Sequence, residues 1–140
     1  MTTIKKIDTL KELDELLPVI LEFHAKMEFY SLYSACGFIG FLMMNFFNND
    51  FGIWIYKKDN EILGYAIVSI SYRFFEKECS IVDAYIKENN ESVTSIGFEE
   101  IEDWAKIKGC KYLSCYTLRD IGIGKKYGFK NKFNFMIKEV

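Results

Sequence analysis

Proline is almost missing from this sequence of 140 residues: it occurs once, as Pro18, and only nine glycines accompany it. So few breakers exclude long linkers and disordered tracts, and residues 1–140 are expected to form one domain. Histidine is scarcer than cysteine, with His24 alone against Cys36, Cys79, Cys110 and Cys115, and no two cysteines form a CxxC pair. That disfavours a tetrahedral zinc site, so no metal ligand is assigned and reduced thiols in a cytoplasmic setting are expected. A buried strand cysteine such as Cys115 is expected to be inert rather than nucleophilic. Long apolar runs are lacking as well. The greasiest, FIGFLMMNFF from Phe38 to Phe47, falls far short of the roughly 20 residues of a spanning helix. The opening MTTIKKIDTL shows no apolar core of a secretion signal. The expectation is a soluble protein with no membrane partner.

Charge of one sign is also missing. A net charge of −2 provides no general attraction to nucleic acid. Its distribution is uneven, net −7 from Glu76 to Asp103 and net +4 from Arg119 to Val140, and solvated faces are the expected meaning. What the chain does have is apolar mass. Half of it is apolar and 17% is aromatic, and a chain of this length can bury roughly 70% of its unfolded surface.

The patterning alternates between strand and helix periods. TIKKI reads as a short strand, after which Asp8 or Thr9 can cap a helix reaching about Met27. Its apolar stripe is read as Leu10, Leu13, Leu17, Ile20 and Met27, with a kink or restart at Pro18. A second helix, from about Ala35 to Phe47, is apolar on nearly every side. Phe38, Ile39, Phe41, Leu42, Met43, Phe46 and Phe47 cannot all face one core, so some line a substrate crevice or a homodimer contact. FGIWIY and ILGYAIVSISY, separated by KKDNE, read as a hairpin, and SIVDAYI as a third strong strand. A helix with Phe98, Ile101, Trp104 and Ala105 on one side follows and stops at Gly109. KYLSCYT comes about 25 residues after the preceding strand, a spacing that suits a parallel right-handed crossover. DIGIGKKYG reads as a short helix or turn, and KFNFMIKEV as a last strand.

The crossover ENNESVTSIGFEEIEDWAKIKGCKYL, residues 88 to 113, is the segment that bears on function. A loop delivers the chain to a helix N-terminus, where unpaired amides and the helix dipole favour an anion. Yet no glycine lies between Glu88 and Ile96.

This element order, with AYI before the loop, EEIEDWAKIKGCKYL after it and the closing KKYGFKNKFNF, resembles the GNAT superfamily of N-acetyltransferases. The resemblance implies an α+β fold, a mixed α/β sandwich. Its central twisted sheet carries helices on both faces and a V-shaped splay between the fourth and fifth strands. It also implies acetyl-CoA as cosubstrate and the amine of a small molecule or peptide as acceptor. Backbone groups of Ala84, Tyr85 and Ile86 would hold the pantetheine arm like an added strand. Amides from Ser92, Val93, Thr94, Ser95, Ile96 and Gly97 would take the pyrophosphate. In this chain Ser92 and Thr94 stand where the family's loop has glycines, and Asn89 or Glu91 stands at its Arg position. The family's strand-end Asn falls on Thr117. Its leaving-group Tyr falls on Gly124, with Tyr127 the nearest phenol. Asp83 matches the family's frequent general base. Tyr85 and Tyr116 are further proton-donor candidates, and His24, Tyr30 and Tyr33 would border the acceptor. The alternative is a GNAT-fold binding or interaction protein without catalysis.

Overall fold

The computed structural model describes residues 1–26, 35–87, 90–115, 126–130 and 138. Among them the order is β1 (Thr2–Lys6), α1 (Leu10–Ala25), α2 (Ala35–Asn45), β2 (Phe51–Lys58), β3 (Glu61–Arg73), β4 (Glu76–Ile86), α3 (Glu91–Ile107) and β5 (Tyr112–Cys115). Tyr30, Tyr33, Glu88, Asn89, Tyr116, Thr117, Gly124 and the expected last strand lie outside the described residues.

The five strands form one sheet in the order β1-β2-β3-β4-β5. The first three pairings are antiparallel and the last is parallel. β2 is buried on both faces from Phe51 to Tyr56, as a central strand between two helical layers must be. Ile53, Ile55, Tyr65 and Ile67 pack against α1 and Leu42 of α2 on one face. Trp54, Val68, Cys79 and Ile81 pack against Ile101 and Ala105 of α3 on the other. The mixed sheet covered on both faces is the expected fold.

Local sequence explains the ends of the elements. Thr9 caps α1, its side chain accepting from the Glu12 amide at 3.2 Å, while Glu12 reaches back to the Asp8 amide at 3.3 Å. The arrangement is a variant of the capping box, in which Glu12 meets the amide of the residue before the cap. The buried stripe of α1 is Leu13, Leu16, Ile20 and Phe23, which corrects the expected one: Leu10 is exposed. The adjacent Leu16 and Leu17 fit a 3.6-residue period in either phase, so the sequence left the choice to packing. α1 also continues through Pro18 as one element. Pro18 is on the exposed side, where water satisfies the carbonyl it leaves unbonded.

Glu78 is the one charged residue among the buried ones described. It accepts from Arg73 Nε at 2.6 Å, from Ser80 Oγ at 3.4 Å and from Ser114 Oγ. This network joins β3, β4 and β5 where the parallel pairing begins. That pairing runs from Glu78↔Tyr112 to Ile81↔Cys115, while β4 continues to Ile86. The far wall of the expected splay would lie in residues 116–125, outside the described part.

Candidate active site

A bulge in β4 sets the site. Ile67 pairs with Asp83 and Val68 pairs with Ile81, so Val82 is an extra residue without a partner on β3. Strict alternation along β4 would put residues 79, 81, 83 and 85 on one face. The bulge breaks that parity. Cys79 and Ile81 therefore face α3, while Asp83 and Tyr85 share the α1 face with Ile67 and Tyr65.

On that face the Asp83 carboxylate meets two partners from other elements. Tyr65 of β3 donates its hydroxyl to Oδ2 at 2.8 Å, and His24 Nε2 of α1 lies 2.8 Å from the same oxygen. The His24 and Asp83 side chains are 12% and 17% exposed, enough shelter to strengthen their interaction. Oδ1 accepts no hydrogen bond among the described residues. Around the cluster, Phe23 stacks on Tyr85 with ring centroids 4.0 Å apart, and Phe38 of α2 lies 4.8 Å from the His24 ring. His24, expected to border the acceptor, thus lies against the Asp83 carboxylate. Tyr65 was missed, because the partner across a sheet depends on register rather than on local pattern.

β4 next to Asp83 has one edge open among the described residues. The Lys87 amide donates to Leu63 O at 2.7 Å, making those two a hydrogen-bonded pair. Antiparallel ladders alternate, so Ala84 and Ile86 turn their N–H and C=O groups away from β3. Gly64 lets the two backbones come close: a Cβ there would stand 2.8 Å from Tyr85 O. Tyr85 itself points into the aromatic layer with Phe23.

The α3 N-terminus differs from the expected amide nest. Asn90 is the N-cap, and its Oδ1 accepts from the Val93 amide at 3.3 Å. The Thr94 amide and hydroxyl both donate to Asn90 O at 3.0 Å. Ser95, Ile96 and Gly97 lie inside the helix, where amides bond to carbonyls four residues back. Of the six expected amides, that of Val93 is capped and those of Thr94, Ser95, Ile96 and Gly97 lie within the helix, which leaves Ser92, with the preceding Glu91 amide beside it at the helix start. The Glu91 carboxylate is 2.5 Å from Lys126 Nζ, and this contact raises the pKa of Lys126. That lysine brings a cation to the helix start, a neighbour that sequence spacing did not suggest.

The structure does not bring Tyr127 to Asp83. Its ring packs on Phe98 of α3, centroids 4.8 Å apart, in the layer on the opposite face. A cleft of about 570 Å³ is lined by Val19, Phe23, Lys26, Ile62, Tyr85 and Lys87 among others, and excludes Asp83 and His24. Burial raises the thiol pKa of Cys115 and pushes that of Cys79 to about 12, so both are protonated and poorly nucleophilic at neutral pH. Among the described residues no helix is long and apolar enough to cross a membrane.

No family profile and no curated protein sequence matches the chain. Solved structures do. A predicted acetyltransferase from Clostridium acetobutylicum, with acetyl-CoA, superposes with a TM-score of 0.77 at 14% identity, covering 99% of this chain and 96% of that one. An aminoglycoside N-acetyltransferase in complex with CoA gives 0.77 at 12% identity, covering 100% and 95%. A transcriptional regulator from Bacillus halodurans gives 0.76 at 13% identity, covering all of both chains. The chain has the GNAT fold. Such likeness shows the architecture, and a GNAT scaffold can serve more than one end. Within it, Asp83 and the open edge at Ala84 and Ile86 lie side by side on β4, and α3 begins four residues beyond Lys87.

Proposed function

We propose that this GNAT-fold chain is an acyl-CoA-dependent N-acetyltransferase acting on the amine of a small molecule or peptide. The observation that carries the proposal is the Asp83 carboxylate, turned by the Val82 bulge onto the α1 face beside a stretch of β4 whose other edge is unpaired among the described residues. Acetyl-CoA supplies an activated acetyl group. Ala84 and Ile86 hold its arm by backbone hydrogen bonds, and the amides of Glu91 and Ser92, with Lys126, meet its phosphates.

The acceptor reaches the site as an ammonium and must lose a proton before its nitrogen attacks. Asp83 takes that proton on Oδ1, while Tyr65 and His24 fix the carboxylate through Oδ2. The new N–C bond forms as the C–S bond breaks, and the departing sulfur needs a proton in turn. That proton comes from solvent, since Tyr127, the expected donor, packs on Phe98 in the layer on the opposite face of the sheet from Asp83.

A binding protein without catalysis is the second reading. It is favoured by Asn90 capping an amide of α3 and by a carboxylate, Glu91, standing at the helix start. Thiol release from acetyl-CoA with a panel of primary amines separates the two. Under the enzyme reading one or more amines are turned over. Asp83→Asn then lowers kcat/KM about 10²–10⁴-fold with acetyl-CoA affinity unchanged. Equal turnover by Asp83→Asn removes the assigned base, and no turnover of any amine supports the binding protein.

A further inference from the structure

Among the described residues the sheet contains two tight hairpins, built from opposite kinds of residue. The β2–β3 turn places Asp59 and Asn60 at φ of 51° and 68°, and the β3–β4 turn places Phe74 and Phe75 at 49° and 67°. Asp and Asn tolerate the left-handed region, whereas a bulky aromatic residue there is an outlier. Asn-Gly and Asp-Gly dominate turns of this kind. Nor does burial of the rings explain the choice. Phe75 is 101% exposed, Tyr72 73% and Phe74 71%. An outlier kept at an exposed turn points to function.

A second apolar strip is exposed on α2 and the residues just after it. Met43, Met44 and Phe47 are 51%, 87% and 75% exposed, and their spacing puts them on one side of the helix. Leu42 is buried on the other side, with Phe38 and Phe41 packed toward the core. The chain leaving α2 meets the sheet where the Ile70 amide donates to Asp50 O at 2.8 Å, just before β3 runs out into the Phe74–Phe75 turn. Hairpin tip and strip therefore belong to the same end of the molecule.

We propose that these two surfaces form a self-complementary interface with a second copy of this chain. The hairpin tip of each copy seats on the α2 strip of the other about a two-fold axis. Three rings this exposed offer roughly 500 Å². The methionine-rich strip, able to mould to an aromatic partner, brings the total toward the roughly 800 Å² that each side contributes to a stable interface.

Sedimentation velocity over a wide concentration range tests this. The wild-type chain is expected to pass from monomer to dimer as concentration rises. The double variant Phe74→Asn with Phe75→Gly installs the favoured turn residues, so it should remain monomeric while melting no lower than dilute wild type. Met44→Glu, on the other surface, should also be monomeric, and it decides the matter if the turn variant fails to fold. A wild type that stays monomeric throughout, or a dimer untouched by Met44→Glu, overturns the proposal. So does a monomer that floats with phosphatidylserine vesicles, which would assign the hairpin to lipid.

Discussion

Replacing Tyr65 by Phe removes one hydroxyl from the Asp83 cluster and keeps the ring that packs against Phe23 and Tyr85, each with centroids 6.3 Å away. The residue is 4% exposed, and its hydroxyl donates to Asp83 Oδ2 at 2.8 Å. A hydrogen bond to a charged group contributes about 1.5–3 kcal/mol, and since water reaches part of Asp83 the low end, about 1.5 kcal/mol, applies. At about 3 °C per kcal/mol for a domain of this size, Tyr65→Phe should lower Tm by about 5 °C. The stronger test is a double-mutant cycle with Asp83→Asn, read by urea unfolding. If the hydroxyl acts on the carboxylate, the two losses overlap, and the double variant is more stable than their sum implies by about 1 kcal/mol. Additivity within about 0.5 kcal/mol would show that the two groups do not face each other, refuting the geometry from which the base is assigned.

Two other perturbations have defined outcomes. Burial alone would raise the Glu12 carboxyl, but hydrogen bonds from Lys5, Thr9 and the Asp8 amide, with the Lys5 charge, bring it down from 4.5 to about 2. A depressed carboxyl stabilises the fold above its unfolded pKa and loses that effect as pH falls through the folded one. Glu12→Gln should therefore be less stable than wild type at pH 6, with the difference shrinking between 4.5 and about 2 in acid unfolding curves. Gly64→Ala would set a Cβ 2.8 Å from Tyr85 O and 3.3 Å from Ile86 Cα. It should cost about 1–3 kcal/mol in chemical denaturation and weaken acetyl-CoA binding by shifting the open edge of β4.

Much of the fold could be read from local pattern, because the relevant forces are local. The β-rich run ILGYAIV, the turn residues Asp59 and Asn60, the Gly109 stop and the crossover spacing each specify their own stretch of chain. Asp83 and His24 were each readable as candidates, but their contact was not. The bulge was not: nothing in SIVDAYI marks Val82 as the residue that lacks a partner, since that follows from β3 staying in register on either side of it. Tyr65 and Lys126 lie 18 and 35 residues from the groups they contact, so only the assembled sheet and the α3 terminus reveal them. The capping role of Asn90 did leave a signal, an Asn immediately before an acidic first turn.

The central claim, that the first turn of α3 and the open edge of β4 hold acetyl-CoA, is tested most directly by calorimetric titration with that compound. One saturable site is predicted. In Glu91→Gln, which removes a carboxylate from the helix start and releases Lys126, the affinity should rise about fivefold, the equivalent of about 1 kcal/mol for one exposed charge pair. A flat titration for both the wild-type chain and Glu91→Gln would contradict the account and leave the GNAT fold serving as a binding scaffold.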